Sequence, residues 1–283
     1  MSHDKITVVI NTFNSEDIIF HCLDSIAPEV KIIVVENSNN LSFKKKLENK
    51  YLNVNCFLTG KNLGYGKGNN FGLSKVDTQF ALVLNPDAVL EKNTIKNFLN
   101  RANNLKDFAL IGPAKQDEYS VKDLNSNKEQ VFQVNSLKGF AMFFNLDQFK
   151  EIGFFDENFF IYLEEIDLCK RLKKKFKKIY LDKSIVVHHI GGSSHNKTIN
   201  FEMELSRNWH WMWSTFYFYK KHYNYFYALF KVSRKLISSL IKCIFYLILF
   251  KNKKKKIYFQ RFSGLFNSII GKKSWYRPKI IIN

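Results

Sequence analysis

Short runs of β-branched and aromatic residues alternate with helix-like patterns through the first half of the chain. The predicted strands are Ile6–Ile10, Lys31–Val35, Val54–Leu58 and Phe80–Leu84, and the helices between them include Ser15–Ile26 and Ser42–Lys50. Because these strands are almost continuously apolar, they should form a parallel sheet that helices cover on both faces. The sequence therefore predicts an α/β fold, a Rossmann-like and mostly parallel sheet with flanking helices.

Polar residues stand directly after three of these strands. They form the segments Asn11–Asn14, Glu36–Ser38 and Asn85–Asp87. Polar residues are common in loops, so each segment taken singly has an ordinary explanation. Ligands of a parallel sheet bind beyond the carboxyl ends of its strands, and all three segments fall at that edge. Together they predict a ligand-binding site there.

Two of the segments around this edge suit a diphosphate. Asp87 follows a buried strand, where a carboxylate can hold a divalent cation that bridges two phosphates. The loop NLGYGKGNNFG at residues 62–72 follows a strand and opens a helix, so its backbone can approach an anion closely. Ordinary alternatives remain, because Asn-Pro is a common turn signal and glycines also make loops flexible.

Three carboxylates, Glu164, Glu165 and Asp167, open a helix predicted over residues 163–175. The aromatic run at 159–162 precedes them and would desolvate a carboxylate, as a general base requires. Acidic residues also favour a helix N-terminus through the helix dipole alone, which leaves a structural alternative. The segment is therefore a candidate for acid–base chemistry.

His188 and His189 lie at the end of a predicted strand, before the segment Gly191–Ser194. An imidazole in this position can coordinate a metal ion, and histidine is a common metal ligand. A single histidine is more often structural. This pair, however, follows both a candidate carboxylate ligand and a candidate base in the same chain.

These segments, in this order and spacing, resemble family 2 glycosyltransferases over about residues 6–195. The rhamnosyltransferase-like branch, which commonly writes its metal motif as Asn-Pro-Asp, resembles the chain best. The joint order of the motifs carries the resemblance, since no single motif decides it. The matching segments are VINTFN at 9–14, VVENS at 34–38, the glycine loop at 62–72, LNPD at 84–87, KGFAM at 138–142, GFFDE at 153–157, EEIDLC at 164–169 and the histidine segment at 188–193.

The resemblance implies a GT-A fold, a nucleotide-diphosphate sugar as donor, Mg²⁺ or Mn²⁺ as cofactor, and inversion at the anomeric carbon. By position, Glu165 is the implied catalytic base. Asp87 and His188 are the implied metal ligands, with His189 as the alternative one residue along. The residues implied for binding the nucleotide-sugar are Thr12, Asn14, Glu36, Asn62, Gly64, Lys67, Asn70, Asp87 and Gly139.

The chain departs from the family pattern at three of these positions. Glu36 stands where the family more often has Asp, which lengthens the side chain by one methylene. Asn85 replaces the first carboxylate of the general D-x-D motif and leaves one anionic ligand. Glu165 replaces Asp as the base, so Asp167 stays a candidate contributor.

Nearly all of the net positive charge lies in the C-terminal part of the chain. Residues 205–283 hold 17 of the 44 Lys and Arg residues and none of the 25 Asp and Glu residues. A neutral body with a basic, aromatic tail indicates an anionic membrane surface rather than nucleic acid. We therefore expect a catalytic domain at 1–204 and a basic, aromatic, helical region at 205–283.

The segment Ala228–Phe250 predicts an amphipathic helix with one polar stripe. Its uninterrupted apolar stretch, Cys243–Phe250, is far shorter than the roughly 20 residues that span a bilayer. We expect this helix to lie in the membrane interface, with Lys251 and residues 253–256 on lipid phosphates. The alternatives are that its apolar face covers the catalytic domain or forms a homodimer.

Two features predict a cytoplasmic catalytic domain, peripheral on the inner face of the plasma membrane. Cys22, Cys56, Cys169 and Cys243 stand far apart and match no metal-binding spacing, as expected of reduced thiols. The N-terminal residues begin a strand-like run at once and lack the pattern of a signal peptide.

The predicted function is transfer of a sugar, with dTDP-L-rhamnose the favoured donor, to a lipid-linked or polysaccharide acceptor. Such a reaction belongs to the synthesis of bacterial cell-surface glycans of the O-antigen, lipopolysaccharide or capsule type. The alternatives are a transferase that uses UDP-hexose or UDP-N-acetylhexosamine, a sugar nucleotidyltransferase, and a non-catalytic protein that binds carbohydrate or membrane. Asn11–Asn14 lacks the Gly-rich, basic signature of a nucleotidyltransferase.

Overall fold

The structure, a computed structural model, describes residues 3–105, 107–114, 129–189 and 199–278. Its internal contacts divide the chain into two compact units. The first comprises Met1–Asp156 and Glu165–Asn196, and the second comprises Glu157–Glu164 and Lys197–Asn283. The second unit thus includes residues 157–164 and 197–204, which belong to the stretch 1–204 that we assigned to the catalytic domain.

The first unit is built on a mixed eight-stranded sheet and a separate two-stranded ribbon. In chain order the strands are β1 (Ile6–Thr12), β2 (Lys31–Glu36), β3 (Val54–Leu58), β4 (Phe80–Leu84), β5 (Ala88–Leu90), β6 (Phe108–Pro113), β7 (Val131–Gln133), β8 (Ala141–Asn145), β9 (Lys178–Asp182) and β10 (Val187–His189). The order across the large sheet is β3-β2-β1-β4-β8-β6-β9-β7, and β5 pairs with β10 in the ribbon.

The four strands β3, β2, β1 and β4 run parallel to one another. Strand β8 runs antiparallel between β4 and β6, and β9 is parallel to β6. The start of β8 therefore lies at the edge where the first four strands end. This arrangement places the segment before β8 beside the polar ends of β1, β2 and β4.

Helices cover both faces of the sheet, and successive residues of a strand enter opposite layers because side chains alternate along it. Val8 and Ile10 enter one apolar layer, Val9 enters the other, and all three side chains are fully buried. The mixed α/β fold that the sequence predicts is confirmed. The helices of this unit are α1 (Ile19–Asp24), α2 (Leu41–Lys50), α3 (Tyr65–Leu73), α4 (Thr94–Asn104) and α5 (Glu164–Lys174), the last beginning in the second unit.

The predicted helix at 15–26 is shorter in the structure, where α1 begins only at Ile19. Asn14 has a φ of 50°, so the chain turns sharply before the helix. The Ser15 hydroxyl bonds to the backbone of Phe13 instead of capping a helix, and the Ser15 carbonyl accepts from the Ile18 amide in a turn. The prediction that the helix begins at Ser15 was therefore wrong.

All four cysteines lie in the described ranges, and each is a free thiol. Burial raises the pKa of the Cys56 and Cys169 thiols to about 12. Since the thiolate is the reactive form, these two side chains act as small apolar core residues and not as nucleophiles.

The second unit contains three long helices, α6 (Asn200–His222), α7 (Tyr225–Ile248) and α8 (Asn252–Ile269). Gly264 lets α8 approach α6 closely, because a Cβ at this position would lie 2.2 Å from the Trp209 carbonyl oxygen. The small core between the helices comprises Met212, Phe216, Ala228, Val232 and Leu265.

Much of the apolar surface of α7 is exposed, although this helix is part of a packed unit. Its exposed side chains recur every three to seven residues and include Phe226, Phe230, Ile237, Ile241, Ile244 and Ile248. No helix in the described ranges has both the length and the hydrophobicity needed to cross a membrane. An exposed apolar face of this extent marks a surface for interaction.

His210 is buried in the second unit between ring and backbone partners. Its ring stacks on Phe160 at 4.5 Å, Nε2 lies 2.9 Å from the Tyr276 carbonyl oxygen, and Nδ1 lies 3.0 Å from the Ser274 hydroxyl. Burial lowers the pKa of His210 from 6.5 to about 3, and the charge of Arg277 also lowers it. The folded unit therefore keeps this imidazole neutral.

We expect the second unit to lose stability as the pH falls below about 6.5, because the unfolded chain then binds a proton that folded His210 does not bind until about pH 3. The contribution is about 1.4 kcal/mol per pH unit, or about 2.7 kcal/mol at two units below the ordinary pKa. Urea unfolding followed by tryptophan fluorescence reports on this unit, since all four tryptophans lie in it. His210→Gln should reduce the pH dependence of the unfolding free energy by this amount. An unchanged slope of that free energy against pH would contradict the role that we give to His210.

Candidate active site

The candidate site lies at the carboxyl edge of the parallel strands. Strand pairing aligns Thr12 of β1 with Glu36 of β2, and Ile10 of β1 with Leu84 of β4. Leu84 in turn aligns with Ala141 at the start of β8. The segments after β1, β2 and β4 and the segment before β8 therefore meet at one edge of the sheet.

Two amides at this edge hold the glycine loop. Asn37 donates to the Asn11 side-chain oxygen at 2.6 Å, and Asn11 donates to the Gly64 carbonyl at 2.9 Å. Gly64 has a φ of 81°, and it directly precedes α3. A Cβ at Gly68 would lie 2.5 Å from the Asn11 amide nitrogen, so only glycine lets α3 approach β1 this closely. Asn11 and Asn37 are positioning residues that our sequence-based site list lacked.

The Glu36 carboxylate, which is 1% exposed, holds the loop that follows β2. Oε1 accepts from the Ser38 amide at 2.8 Å, and Oε2 accepts from the Asn40 amide at 2.6 Å. The Ser38 hydroxyl in turn accepts from the Asn14 amide at 2.8 Å, and Thr12 donates to the Val35 carbonyl at 3.3 Å. The structure thus brings together Thr12, Asn14 and Glu36, as expected for parts of one site.

The expected residues of the glycine loop play different parts. Asn62 accepts from the Gly64 amide at 2.9 Å, and Lys67 is exposed. Asn70 donates to the Phe155 carbonyl at 2.8 Å and accepts from the Phe155 amide at 3.0 Å. The Asn70 amide is therefore engaged in fixing the backbone at residue 155.

Asp87 and His189 meet in the middle of the site. Their atoms Oδ1 and Nε2 lie 3.3 Å apart, and the two side chains are only 1% and 12% exposed. Asn85 places its amide nitrogen 3.3 Å from the same Nε2, and the His189 ring stacks on Phe140 at 4.9 Å. Packing therefore fixes the imidazole with one nitrogen directed at a buried carboxylate.

The expected pairing of Asp87 with His188 is not what the structure shows. His188 points to the opposite side of β10, where Nε2 lies 3.0 Å from Glu91 Oε1. Its side chain is 63% exposed. Neighbouring residues of a strand face opposite sides, so only one of the two histidines can reach Asp87. The geometry selects His189, and Gly191–Ser194 lies outside the described residues.

Glu165 lies against Gly139, at the same edge. A Cβ on Gly139 would be 3.8 Å from the Glu165 Cβ and 3.1 Å from the Tyr65 hydroxyl oxygen. The Tyr65 hydroxyl donates to the Gly139 carbonyl. Since Gly139 is followed by Phe140, which stacks on His189, the candidate base and the Asp87–His189 pair border one short stretch of backbone.

Asp167 has a structural role. It is fully buried and accepts from Arg171 Nε at 2.8 Å, one turn along α5. Arg171 also donates to the Ile152 carbonyl at 2.9 Å and to the Phe154 carbonyl. This ion pair therefore holds the segment at residues 152–154 to α5.

The Asp87–His189 pair fits a divalent cation. The Asp87 Oδ1 atom is buried and accepts no hydrogen bond within the described part of the chain. A carboxylate oxygen beside an imidazole nitrogen suits Mn²⁺, whereas Mg²⁺ prefers oxygen alone. Nowhere among residues 3–105, 107–114, 129–189 and 199–278 do three His, Cys, Asp or Glu side chains form a metal-binding group.

Comparison with known proteins decides the family. Residues 7–168 match the profile described as Glycosyl transferase family 2, which covers more than half of the chain. The chain belongs to glycosyl transferase family 2. The segment that matches contains Asp87, Gly139 and Glu165, whereas His189 lies beyond it.

Named relatives share low identity with the chain. The low-salt glycan biosynthesis hexosyltransferase Agl10 of Haloferax volcanii is 24% identical over 61% of this chain, which spans 62% of that protein. Rhamnosyltransferase WbbL of Escherichia coli is 24% identical over 58% of this chain and 75% of its own length. The N-acetylglucosaminyl-diphospho-decaprenol L-rhamnosyltransferase of Mycobacterium tuberculosis is 22% identical over 56% of this chain and 66% of its own length.

Solved structures confirm the GT-A prediction. A mannosyltransferase from Pyrobaculum calidifontis, in complex with GDP-mannose and Mn²⁺, has a TM-score of 0.61 at 12% identity over 95% of this chain and 88% of its own. S. aureus TarS in complex with UDP has a TM-score of 0.54 at 15% identity over 98% of this chain and 94% of its own. At this identity the likeness shows the fold alone.

Removal of the Arg171 side chain should destabilise the first unit by roughly 3–5 kcal/mol, because Arg171→Gln removes the positive charge that pairs with the buried Asp167 carboxylate. Lys178→Gln is the matched control, since the Lys178–Asp107 pair is exposed and its loss should change the stability little. Urea unfolding followed by far-UV circular dichroism measures both losses. Equal losses of stability in the two variants would show that the Asp167–Arg171 pair does not hold residues 152–154 to α5.

Proposed function

We propose that the chain is an inverting glycosyltransferase that moves a sugar from a nucleotide-diphosphate donor to an acceptor hydroxyl. The convergence of Asp87, His189 and Glu165 around residues 139–140 carries the proposal. Membership of family 2 supports it. The arrangement offers a cation site and a carboxylate base at the edge of the sheet where ligands of such sheets bind.

The donor would lie along the carboxyl edge. Its nucleoside would bind near Thr12, Asn14 and Glu36, and its diphosphate near Asn62, Gly64, Lys67 and Asn70, with Gly139 bordering the sugar. The Glu36 carboxylate, which already accepts hydrogen bonds from its own loop, would present its remaining lone pairs to the nucleobase of the donor. We favour dTDP-L-rhamnose, because two relatives are named as rhamnosyltransferases. UDP-hexose and UDP-N-acetylhexosamine are the alternative donors.

Asp87 and His189 would hold Mg²⁺ or, better matched to the imidazole, Mn²⁺. When bound, the cation would neutralise charge that develops on the departing diphosphate. The Phe140 stack and the Asn85 amide keep His189 oriented without the ion. Such pre-organisation lowers the cost of binding, because the ligand side chains are already ordered.

The chemistry is a single displacement. Glu165 takes the proton from the acceptor hydroxyl as its oxygen forms a bond to C1 of the sugar. The bond from C1 to the diphosphate oxygen breaks on the opposite face, and the electron pair leaves with the diphosphate. Attack and departure on opposite faces invert the anomeric carbon. The protonated Glu165 then returns its proton to solvent.

The acceptor would be a lipid-linked glycan at the cytoplasmic face of a membrane. The exposed apolar side chains of α7 would enter the interface, while Lys251 and residues 253–256 contact anionic phosphates. The name of the Mycobacterium tuberculosis relative includes a diphospho-decaprenol group, which is a lipid carrier. The reaction would therefore belong to the synthesis of cell-surface glycans.

Glu165→Gln should keep the nucleotide affinity of the wild type and reduce turnover about 10²- to 10⁴-fold, because glutamine cannot accept the proton. The assay screens nucleotide-sugars for release of dTDP, UDP or GDP in the presence of Mn²⁺ or Mg²⁺, with calorimetry for nucleotide binding. Glu151→Gln, an exposed glutamate of the same unit, should behave as the wild type.

Wild-type turnover by Glu165→Gln would refute the assignment of the base. Absence of nucleotide release from every donor, together with retained membrane binding, would favour the non-catalytic alternative.

A further inference from the structure

A cationic cavity of about 280 Å³ lies within the second unit, between α7 and α8. Its volume is close to the lower limit of the roughly 300–1,000 Å³ usual for small-molecule pockets. It therefore suits a small group more than a whole nucleotide-sugar. The side chains that define its chemistry are Arg234, Lys235, Ser238, Lys242, Tyr258 and Arg261.

Aromatic contacts help to hold the positive charges around the cavity. Lys242 and Arg261 both contact the Tyr258 ring, at 5.3 and 5.6 Å from its centre. None of the described residues that line the cavity is acidic. Partial burial lowers the pKa of Lys235, and the charge of Arg261 lowers it further. Four cations that repel one another thus surround a space that an anion can fill.

The shape of α7 indicates what kind of molecule carries the anion. Arg234, Lys235 and Lys242 line the cavity, whereas Ile237 and Ile244, on another face of the helix, are 58% and 50% exposed. A helix in the membrane interface has this division, with cations at the phosphates and apolar side chains among the acyl chains. The anion would therefore belong to an amphiphile.

We propose that the cavity formed by Arg234, Lys235, Lys242 and Arg261 binds the phosphate group of an anionic amphiphile. The phosphate oxygens would accept charge-assisted hydrogen bonds from the guanidinium and ammonium groups, with the Ser238 and Tyr258 hydroxyls as additional donors. The phosphate could come from a phospholipid headgroup or from a polyprenyl-phosphate acceptor. The site extends the proposed membrane contact and does not depend on sugar transfer by the first unit.

Calorimetric titration with inorganic diphosphate tests the site directly. EDTA and an Asp87→Asn background remove the proposed cation site, and any diphosphate that still binds at the loop of residues 62–70 is the same for every variant compared. Lys242→Gln/Arg261→Gln should weaken diphosphate binding by about tenfold or more, since charge-assisted hydrogen bonds are lost. The control Lys272→Gln/Lys273→Gln removes the same charge from exposed positions of the same unit. Its affinity for diphosphate should stay within about twofold of the parent value.

Vesicle flotation distinguishes the two sources of phosphate. Phosphatidylcholine vesicles carry either phosphatidylglycerol or a polyprenyl phosphate at matched charge. If Lys242→Gln/Arg261→Gln, the cavity variant, loses more binding to one vesicle type than Lys272→Gln/Lys273→Gln, the control variant, the anionic lipid of that vesicle is the source of the phosphate. If tryptophan fluorescence shows that the first variant is unfolded, Arg234→Gln/Lys242→Gln replaces it, because both side chains are exposed. Equal binding by cavity and control variants to diphosphate and to both vesicles would overturn the proposal.

Discussion

Three residues of β10 pair with the three residues of β5, and the site depends on the register of this short ribbon. The pairing sets His189 opposite Ala88 and His188 opposite Val89. Because side chains alternate along a strand, this register directs His189 to Asp87 and His188 to Glu91. A shift by one residue would turn His189 to the opposite face of β10 and move its imidazole away from the buried Asp87 carboxylate.

The large sheet supplies the fixed surface on which this ribbon and the glycine loop meet. Strand β1 lies between β2 and β4, so Asn11 lies within reach of both Asn37 and the loop at Gly64. On the other side of β4, the antiparallel β8 brings Gly139 to the edge. Buried strands therefore place polar atoms that are far apart in the chain into one site.

Much of the fold could be predicted because the apolar runs are unambiguous. Strands β3 and β4 have the predicted bounds, and β1 and β2 end one or two residues beyond the predictions. The polar segments after them, which carried the site hypothesis, do lie together. These features follow from local composition and from the general rule that ligands bind at the carboxyl edge of such sheets.

Other features depend on contacts that a single sequence does not reveal. The choice between His188 and His189 rests on strand register, and the roles of Asn37 and Asn70 rest on long-range hydrogen bonds. Tyr162 and Leu163 adopt positive φ angles of 73° and 69° directly before the carboxylates of α5, although neither residue type favours that conformation. Strain of this kind is found where surrounding packing over-determines the backbone.

The proposed function depends most on whether Asp87 and His189 hold a divalent cation. Electron paramagnetic resonance of Mn²⁺, titrated into the full chain with dTDP or UDP present, measures it most directly. His189→Ala should weaken Mn²⁺ binding by about tenfold or more, whereas His188→Ala, at the exposed position, should change it by less than about twofold. If Mn²⁺ binding depends more strongly on His188 than on His189, or on neither, His189 is not a ligand of the ion.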